Sequence, residues 1–328
     1  MSVARRTLLG FTLALAATTA MSSAFAADGS VVVYTAHKSS IVDRLLPVFE
    51  QETGLKAEVI QLGSGDIFRR ARAEAAAPAA DVIWSVTGSL LTENADLLEP
   101  YKVKEYDVLN TEFIKSDAWT PYTAVVYVLA VNTDLVSLED APKSWADLTD
   151  PKWHGQIASA RADNSGSAVQ QLQTVLTVFG DAGWDKYTEM AKNFVFTDSS
   201  GAVPRFVADS ETSMGLTLED NAIEYIKGGA PMAVVLLADG TVATPDGIAL
   251  VKGGPNPEGG KVFLDWAMSK STQELLANEV GRRAIRTDVA PPAGAPDLGT
   301  VSLVTIKSLD EFGGTEEVMS KWRSAIGE

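Results

Sequence analysis

The sequence contains no cysteine and only two histidines, His37 and His154, among its 328 residues. Without cysteine, neither a disulfide framework nor a lipid-modified amino-terminal cysteine is possible. The chain also lacks a His-x-x-x-His metal pair and a G-x-S-x-G motif. Nothing in the sequence therefore favours a secreted enzyme, although a Ser-His-Asp triad assembled in space stays open as an alternative.

Long apolar runs are missing as well, apart from one near the amino terminus. Arg5 and Arg6 precede the run LLGFTLALAATTA, and the small-x-small cleavage signal AFA ends at Ala26. This order is typical of a secretory signal peptide, and the run is shorter than the roughly 20 residues that span a bilayer. We predict a signal peptide at residues 1–26 and a mature protein outside the cytoplasm. The arginine pair leaves both the Sec and the twin-arginine export routes open.

Positive charge is scarce in this chain. There are 27 Lys and Arg residues against 43 Asp and Glu residues, and removing the predicted signal peptide, with its two arginines and no acid, leaves a formal net charge of −18. A surface this acidic argues against nucleic acid and anionic membranes as partners. It does not set the sign of a small ligand, because backbone N–H groups and hydroxyls can bind an anion locally.

Strand and helix patterns alternate along most of the mature chain. The β-branched run VVVYTA is followed by apolar residues at helical spacing from Val42 to Phe49, and Gly54 marks the helix end. This order predicts an α/β fold with a mostly parallel sheet in each of two lobes and helices on both faces. About 300 mature residues suffice for two cores. The predicted limits are residues 27–129 and 249–300 for lobe 1 and residues 130–248 and 301–328 for lobe 2.

Turns rich in Ser, Thr and Gly follow several of the predicted strands. In an open parallel sheet the ligand lies beyond the carboxyl ends of the strands, where loops run into helix amino termini. Those termini present unpaired N–H groups and a partial positive charge, which suit an oxyanion. The alternative is that these residues only cap helices and form turns, a common role for them. The turns are AHKSS, LGSGD, SVTGS, DNSGS and DSSG.

Several longer segments carry the pattern of a known family. They include VYTAHKSSIVDRLLPVFEQETGLKAEVIQLGSGDIFRRARAE, ADVIWS, PKSWADLTDPKWHGQIASARADNSGS and GIALVKGGPNPEGGKVFLDWAMSKSTQELL, and the most specific residues are Trp145, Leu148, Asp150, Pro151, Trp153 and Gly155. Over nearly the whole mature chain, the sequence resembles the iron(III)-type family of periplasmic solute-binding proteins. The resemblance implies a two-lobed type II binding protein, not an enzyme. Such a protein closes on its ligand and delivers it to the permease and ATPase of an ABC importer.

Family members that bind ferric iron use a histidine after the first strand, a glutamate after the third and two adjacent tyrosines in the second lobe. His37 stands in the histidine position, but Val86 occupies the glutamate position and no adjacent tyrosine pair occurs in the chain. Hard Fe(III) favours phenolate and carboxylate oxygen, so the loss of the tyrosine pair argues against iron. A variant iron site built from His37, Glu219 and Asp220 is the alternative.

Other family members bind phosphorylated organic molecules, such as sugar phosphates or 2-aminoethylphosphonate, and this chain resembles them better. The resemblance implies that Ser/Thr/Gly loops hold the phosphoryl group and that acidic residues of lobe 2 hold hydroxyls or an amine. His37 would donate to a phosphoryl oxygen, more strongly when protonated. We predict a monomer without cofactor that binds a small anionic solute through His37, Ser64, Gly65, Thr87, Ser165, Gly166, Ser167, Thr217, Glu219 and Asp220.

Simpler roles are open for the charged candidates. His37 would then cap a helix or lie at a hinge, and Glu219 and Asp220 would form the acidic first turn of a helix, which the helix dipole favours. On the binding hypothesis, Glu219→Ala weakens binding without unfolding the protein, and His37→Ala reduces affinity. A binding protein that serves a membrane-bound sensor would have the same fold, and neighbouring genes would distinguish it from an importer component.

Overall fold

The computed structural model describes residues 29–298 and 303–328, so the predicted signal peptide lies outside the described residues. The strands are β1 (Ser30–Thr35), β2 (Lys56–Gln61), β3 (Val82–Thr87), β4 (Leu98–Glu99), β5 (Thr120–Asn132), β6 (Ile157–Ala160), β7 (Phe194–Thr197), β8 (Met214–Leu218), β9 (Met232–Val235), β10 (Ala243–Val251) and β11 (Arg283–Ala284). The helices are α1 (Ser39–Thr53), α2 (Ser64–Ala73), α3 (Gly88–Glu93), α4 (Gly166–Phe179), α5 (Gly183–Ala191), α6 (Val203–Ala208), α7 (Glu219–Lys227), α8 (Pro257–Ala267), α9 (Lys270–Leu275) and α10 (Thr315–Ala325).

The strands form a path of hydrogen-bonded neighbours in the order β2-β1-β3-β10-β5-β8-β6-β7. On one side β1 runs parallel to β2 and β3, and on the other β6 runs parallel to β7 and β8. Strands β10 and β5 lie between these parallel groups and join them by antiparallel pairing. The predicted α/β class, with mostly parallel sheet and flanking helices, is confirmed.

The first parallel group forms around apolar residues that the sequence places at strand and helix periods. Val31 and Val33 of β1 are fully buried, and α1 turns Leu45 and Phe49 inward. Phe49 packs against Phe263 with ring centroids 4.9 Å apart. Each such fully buried apolar side chain contributes about 1.5–3 kcal/mol relative to an exposed one. This core fixes the carboxyl ends of β1 and β3, where the polar turns begin.

The residues most specific to the family resemblance build the second core. Trp145, Leu148 and Trp153 are buried in it, and the Trp145 indole Nε1 donates to the carbonyl of Gly240 at 2.8 Å. Gly155 has φ +68, a left-handed backbone conformation that glycine adopts without steric cost. These residues are therefore explained by packing and by a turn rather than by contact with a ligand.

Strand β5 connects the two parallel groups. All of its residues are buried; Thr120–Val126 pair with β10, whereas Tyr127–Val131 pair with β8. The chain returns along β10, which pairs with β5 through Ala243 to Ile248 and with β3 through Asp246 to Leu250. A polar residue near the middle of these two strands therefore lies between the parallel groups. The residue limits of the two lobes remain a prediction.

Candidate functional site

A polar cavity lies at the carboxyl ends of β1, β3 and β8, beside the middle of β10. Its volume is about 250 Å³. Strand ends of this kind are where open α/β sheets bind ligands. Its wall is formed by Ala36, His37, Lys38, Ile41, Ser64, Ser85, Thr87, Leu218, Asp220, Asn221, Asp246 and Arg282.

Four of the sequence-predicted ligand residues meet on the wall of this cavity. His37 follows β1, Ser64 begins α2, Thr87 ends β3 and Asp220 lies in the first turn of α7. They come from turns far apart in the sequence. The carboxyl ends of the parallel strands β1, β2 and β3 bring the first three together, and β8, which runs opposite to β3, brings Asp220 to them from the second parallel group. Gly65 is next to Ser64 in α2 but is not on the wall.

The serine turn before α4 does not reach the cavity. Ser165 accepts a hydrogen bond from the Ala168 amide at 3.4 Å and lies 3.0 Å from the Ser167 hydroxyl, which donates to Ser200 at 2.6 Å. Thr217 donates to the carbonyl of Ser200 at 2.7 Å. Ser165, Ser167 and Thr217 are therefore engaged in a cap and a local network, and Gly166 at the start of α4 is not on the wall either. For this turn the structure favours the helix-capping alternative.

Glu219, another predicted ligand residue, is not on the wall of this cavity. Arg283 donates to both carboxylate oxygens, with Nε to Oε2 at 2.6 Å and Nη2 to Oε1 at 2.9 Å. Both side chains are buried, with 3% and 7% of their surfaces exposed. Because both carboxylate oxygens are already engaged, Glu219 has a structural partner in place of the predicted solute.

Arg282 is the main residue of the cavity that the sequence did not identify. Its Nη1 donates to Asp246 at 2.7 Å and to Ser85 at 3.2 Å, and its Nε donates to Asp220 at 3.1 Å. Two stretches of the sequence are dense in arginine. One contains Arg282, Arg283 and Arg286, and the other, Arg69–Arg72, is exposed although its composition is similar. Composition alone therefore could not single out Arg282.

The second terminal nitrogen of Arg282, Nη2, makes no hydrogen bond to any described residue and is not an enclosed atom. Burial lowers the pKa of the guanidinium, but the carboxylates of Asp220 and Asp246 outweigh burial and raise the pKa above its ordinary value. Arg282 therefore keeps its positive charge and presents a free N–H pair to the cavity. Such a group suits a phosphate or carboxylate oxygen.

Ser85 reaches the cavity because the β3 backbone is irregular there. It is the unpaired residue of a β-bulge opposite Gly247 and Ile248, and its φ is +57. A serine in this conformation is strained, and bulges often redirect a side chain beside a site. The redirected hydroxyl donates to Asp246 at 2.9 Å. The bulge thus supports the carboxylate that holds Arg282.

His37 is almost enclosed, with 5% of its surface exposed. Its ring contacts those of Trp84 and Tyr122 edge-on, with centroids 4.6 and 5.6 Å away. Burial, followed by the positive charges of Arg282 and Lys38, holds the pKa of His37 well below its ordinary value. His37 is therefore neutral near pH 7. This corrects the expectation that protonation would strengthen its contact with a solute.

We expect His37 to make stability depend on pH. An unfolded histidine binds a proton near pH 6.5, whereas folded His37 resists protonation. Below about pH 6.5 the unfolded state binds more protons, so the free energy of unfolding falls as the pH falls. In circular dichroism melts from about pH 5 to about pH 8, His37→Gln should flatten this decline, and His154→Gln, at an exposed histidine, should not. Identical pH profiles for wild type and His37→Gln would contradict the expectation.

The alternative iron site is not assembled. Within residues 29–298 and 303–328, no three or more His, Cys, Asp or Glu side chains are grouped closely enough to hold a metal ion. Of the three candidates, Glu219 and Asp220 are each bonded to an arginine, and an arginine repels a cation. His37, Glu219 and Asp220 are therefore not arranged as a group of metal ligands in the described residues.

The fold and the cavity define a solute-binding protein with two α/β lobes. Residues 46–300 match the family described as bacterial extracellular solute-binding protein, and the chain belongs to that family. Proteins of this family bind small solutes, are not enzymes, and work with permease and ATPase components of ABC transporters. Within the part of the chain that the structure describes, no helix has the length and apolarity needed to cross a membrane.

Individual relatives differ in what they bind. An uncharacterized protein of Haemophilus influenzae is 30% identical over 330 residues, which cover 95% of this chain and 94% of that protein. The periplasmic binding protein AfuA from Actinobacillus pleuropneumoniae, solved with exogenous fructose-6-phosphate bound, is 27% identical with a TM-score of 0.75 and covers 91% of this chain and 99% of AfuA. The Fe(3+)-binding periplasmic protein of Serratia marcescens is 24% identical over 310 residues, 88% of this chain and 86% of that protein.

Proposed function

We propose that the protein is the periplasmic substrate-binding component of an ABC importer and binds a small organic solute that carries a phosphate or phosphonate group. The observation that carries the proposal is Arg282, a buried cation with a free terminal nitrogen in the cavity wall. The fructose-6-phosphate bound to AfuA supports the same class of solute. A secreted location fits the signal peptide predicted at residues 1–26.

The cavity divides into two kinds of donor and acceptor. Arg282 Nη2 and the hydroxyls of Ser64 and Thr87 would bind the oxyanion, and Ser64 adds the amino terminus of the ten-residue helix α2. Asp220 and Asn221 would receive hydroxyls or an amine of the organic part, since Asp220 Oδ1 makes no hydrogen bond within the described residues. The phosphoryl group and the organic part of the solute thus have separate partners.

Closure of the two lobes would enclose the solute. Lys38 on the β1 side donates to Glu224 of α7 at 2.6 Å, and Arg282 holds Asp220 of the same helix. These contacts join α7 to the first parallel group. A solute that adds hydrogen bonds to both sides would stabilise a closed arrangement over an open one.

The test is a thermal-shift screen followed by calorimetric titration of the purified mature protein. At a concentration of about 100 times Kd, a solute that binds only the folded state adds about 2.7 kcal/mol to the free energy of unfolding. We expect such a shift with sugar phosphates, glycerol phosphate or aminoethylphosphonate, and none with the matched unphosphorylated sugars. Ferric citrate, inorganic phosphate and tricarboxylates complete the panel. A shift with ferric iron alone would overturn the proposal.

A further inference from the structure

Three buried polar atoms next to the cavity have no hydrogen-bond partner among the described residues: His37 Nε2, Trp84 Nε1 and Tyr122 Oη. They belong to rings that contact one another. The ring centroids of His37 and Trp84 are 4.6 Å apart, those of His37 and Tyr122 5.6 Å, and those of Trp84 and Tyr122 6.0 Å. The three rings that carry the unpartnered atoms therefore form one cluster.

Leaving such atoms unpaired is costly. An unsatisfied buried donor or acceptor destabilises the folded state, and most buried polar atoms in proteins have a partner. Burial raises the pKa of Tyr122, and an interaction with the Trp84 side chain opposes that effect, so the hydroxyl and the indole influence each other. Small ring movements, or one bridging water, would connect the three groups to one another.

The chemistry of the three groups allows only one arrangement in which every proton has an acceptor. The Trp84 indole is a donor only, the Tyr122 hydroxyl has one proton and two lone pairs, and a neutral imidazole nitrogen is either a donor or an acceptor. If His37 Nε2 carried a proton, the cluster would hold three donors, and the Tyr122 proton would lack an acceptor. If Nε2 is unprotonated, Trp84 donates to Tyr122 and Tyr122 donates to His37. A bridging water leads to the same assignment.

We propose that Tyr122 and Trp84 are positioning residues that hold the proton of neutral His37 on Nδ1, so that Nδ1–H serves as a hydrogen-bond donor to the oxyanion of the solute. The role of Nδ1–H as a donor to the solute rests on the proposed function, whereas the location of the proton does not depend on it. Tyr122 keeps its own proton, because burial raises the pKa of its hydroxyl.

The surroundings of the ring support this role for Nδ1. His37 lines the cavity while its Nε2 is enclosed, and Nδ1 makes no hydrogen bond within the described residues. The backbone of His37 is held on both sides, because its N–H donates to Thr35 Oγ1 at 3.1 Å and its carbonyl accepts from Gln61 at 3.0 Å. A ring with a fixed backbone and a fixed proton is a pre-organised donor, which lowers the cost of binding.

The location of the proton is testable in the ligand-free protein. Long-range ¹H–¹⁵N correlation spectra of histidine-labelled protein at about pH 7.5 report which ring nitrogen is protonated, and His154→Gln assigns the two signals. We expect the wild-type His37 ring to be protonated at Nδ1, and Tyr122→Phe to increase the Nε2–H form. Tyr187→Phe is the matched control, since Tyr187 is also buried and accepts from a tryptophan, Trp322, at 2.9 Å in the second core.

Titration with the phosphorylated solute that gives the largest thermal shift supplies the second measurement. We expect Tyr122→Phe to lower its affinity about five- to tenfold and Tyr187→Phe to change it less than about twofold. A wild-type ring protonated at Nε2 would overturn the inference, as would a Tyr122→Phe variant with the proton location and affinity of the control. If no phosphorylated solute binds the wild type, the proposed function fails, while the spectra still decide where the proton lies.

Discussion

Arg282→Gln is expected to reduce affinity for a phosphorylated solute by about a hundredfold or more. The guanidinium is the buried cation of the cavity, and its free Nη2 is the donor assigned to the oxyanion. Removing one partner of a buried, hydrogen-bonded charge pair costs about 2–5 kcal/mol in binding. Arg282→Lys should keep part of the affinity, since it retains the charge without the planar donor fork. Calorimetric titration measures all three proteins.

Loss of Arg282 also affects the folded state, and the controls separate the two effects. Arg282→Gln leaves Asp220 and Asp246 without their counter-charge, so its melting temperature should fall. In Arg282→Gln/Asp246→Asn the repulsion is relieved, and we expect stability but not affinity to recover. Arg44→Gln removes an exposed arginine outside the cavity and should bind normally. A double variant that binds as tightly as wild type would exclude Arg282 from the site.

Arg283→Ala should lower the free energy of unfolding by about 3–5 kcal/mol, because it leaves the buried carboxylate of Glu219 without a counter-charge. Burial raises the pKa of Glu219, and the charge of Arg283 opposes that effect. Glu219→Ala should be similarly destabilising, since it leaves the buried guanidinium of Arg283 without a counter-charge. This revises the sequence-based expectation that Glu219→Ala acts on binding without unfolding the protein.

Chemical denaturation measures this prediction, and the chain offers both a rescue and a surface control. Arg283→Met/Glu219→Leu replaces the pair with apolar side chains and should recover much of the lost stability. Lys56→Ala breaks an exposed pair with Glu50 and should cost no more than about 1 kcal/mol. If Arg283→Ala costs as little as Lys56→Ala, the Arg283–Glu219 pair does not stabilise the fold as proposed.

The fold was predictable because its signals are local. Val31 and Val33 alternate inward in β1, and Leu45 and Phe49 recur at the helical period in α1, so short windows of sequence carry the pattern. His37 and Thr87 were reachable by the same reasoning, because each follows a recognisable strand. Both residues lie on the cavity wall because of where their strands lie in the order of the sheet.

The rest of the site depends on contacts between distant parts of the chain. Arg282 meets Asp246 and Asp220 only after the sheet has formed, and no local period marks it. The ambiguity at Ser165 and Ser167 has a different cause, because a turn that binds an anion and a turn that caps a helix use the same residues. Only the partners of the hydroxyls distinguish these two roles, and here the partners belong to the protein itself.

The cavity wall sets the cations Arg282 and Lys38 beside the carboxylates Asp220 and Asp246, in a chain whose formal net charge is −16. An approaching anion is repelled at distances where only net charge acts, and it is attracted once it reaches the guanidinium. Salt screens the long-range repulsion, with a Debye length of about 10 Å at about 0.1 M, and screens the buried contact much less. For the anionic solute proposed above, we therefore expect the rate of association to rise with ionic strength, so that a scarce solute is captured faster from a salt-rich medium than from a dilute one.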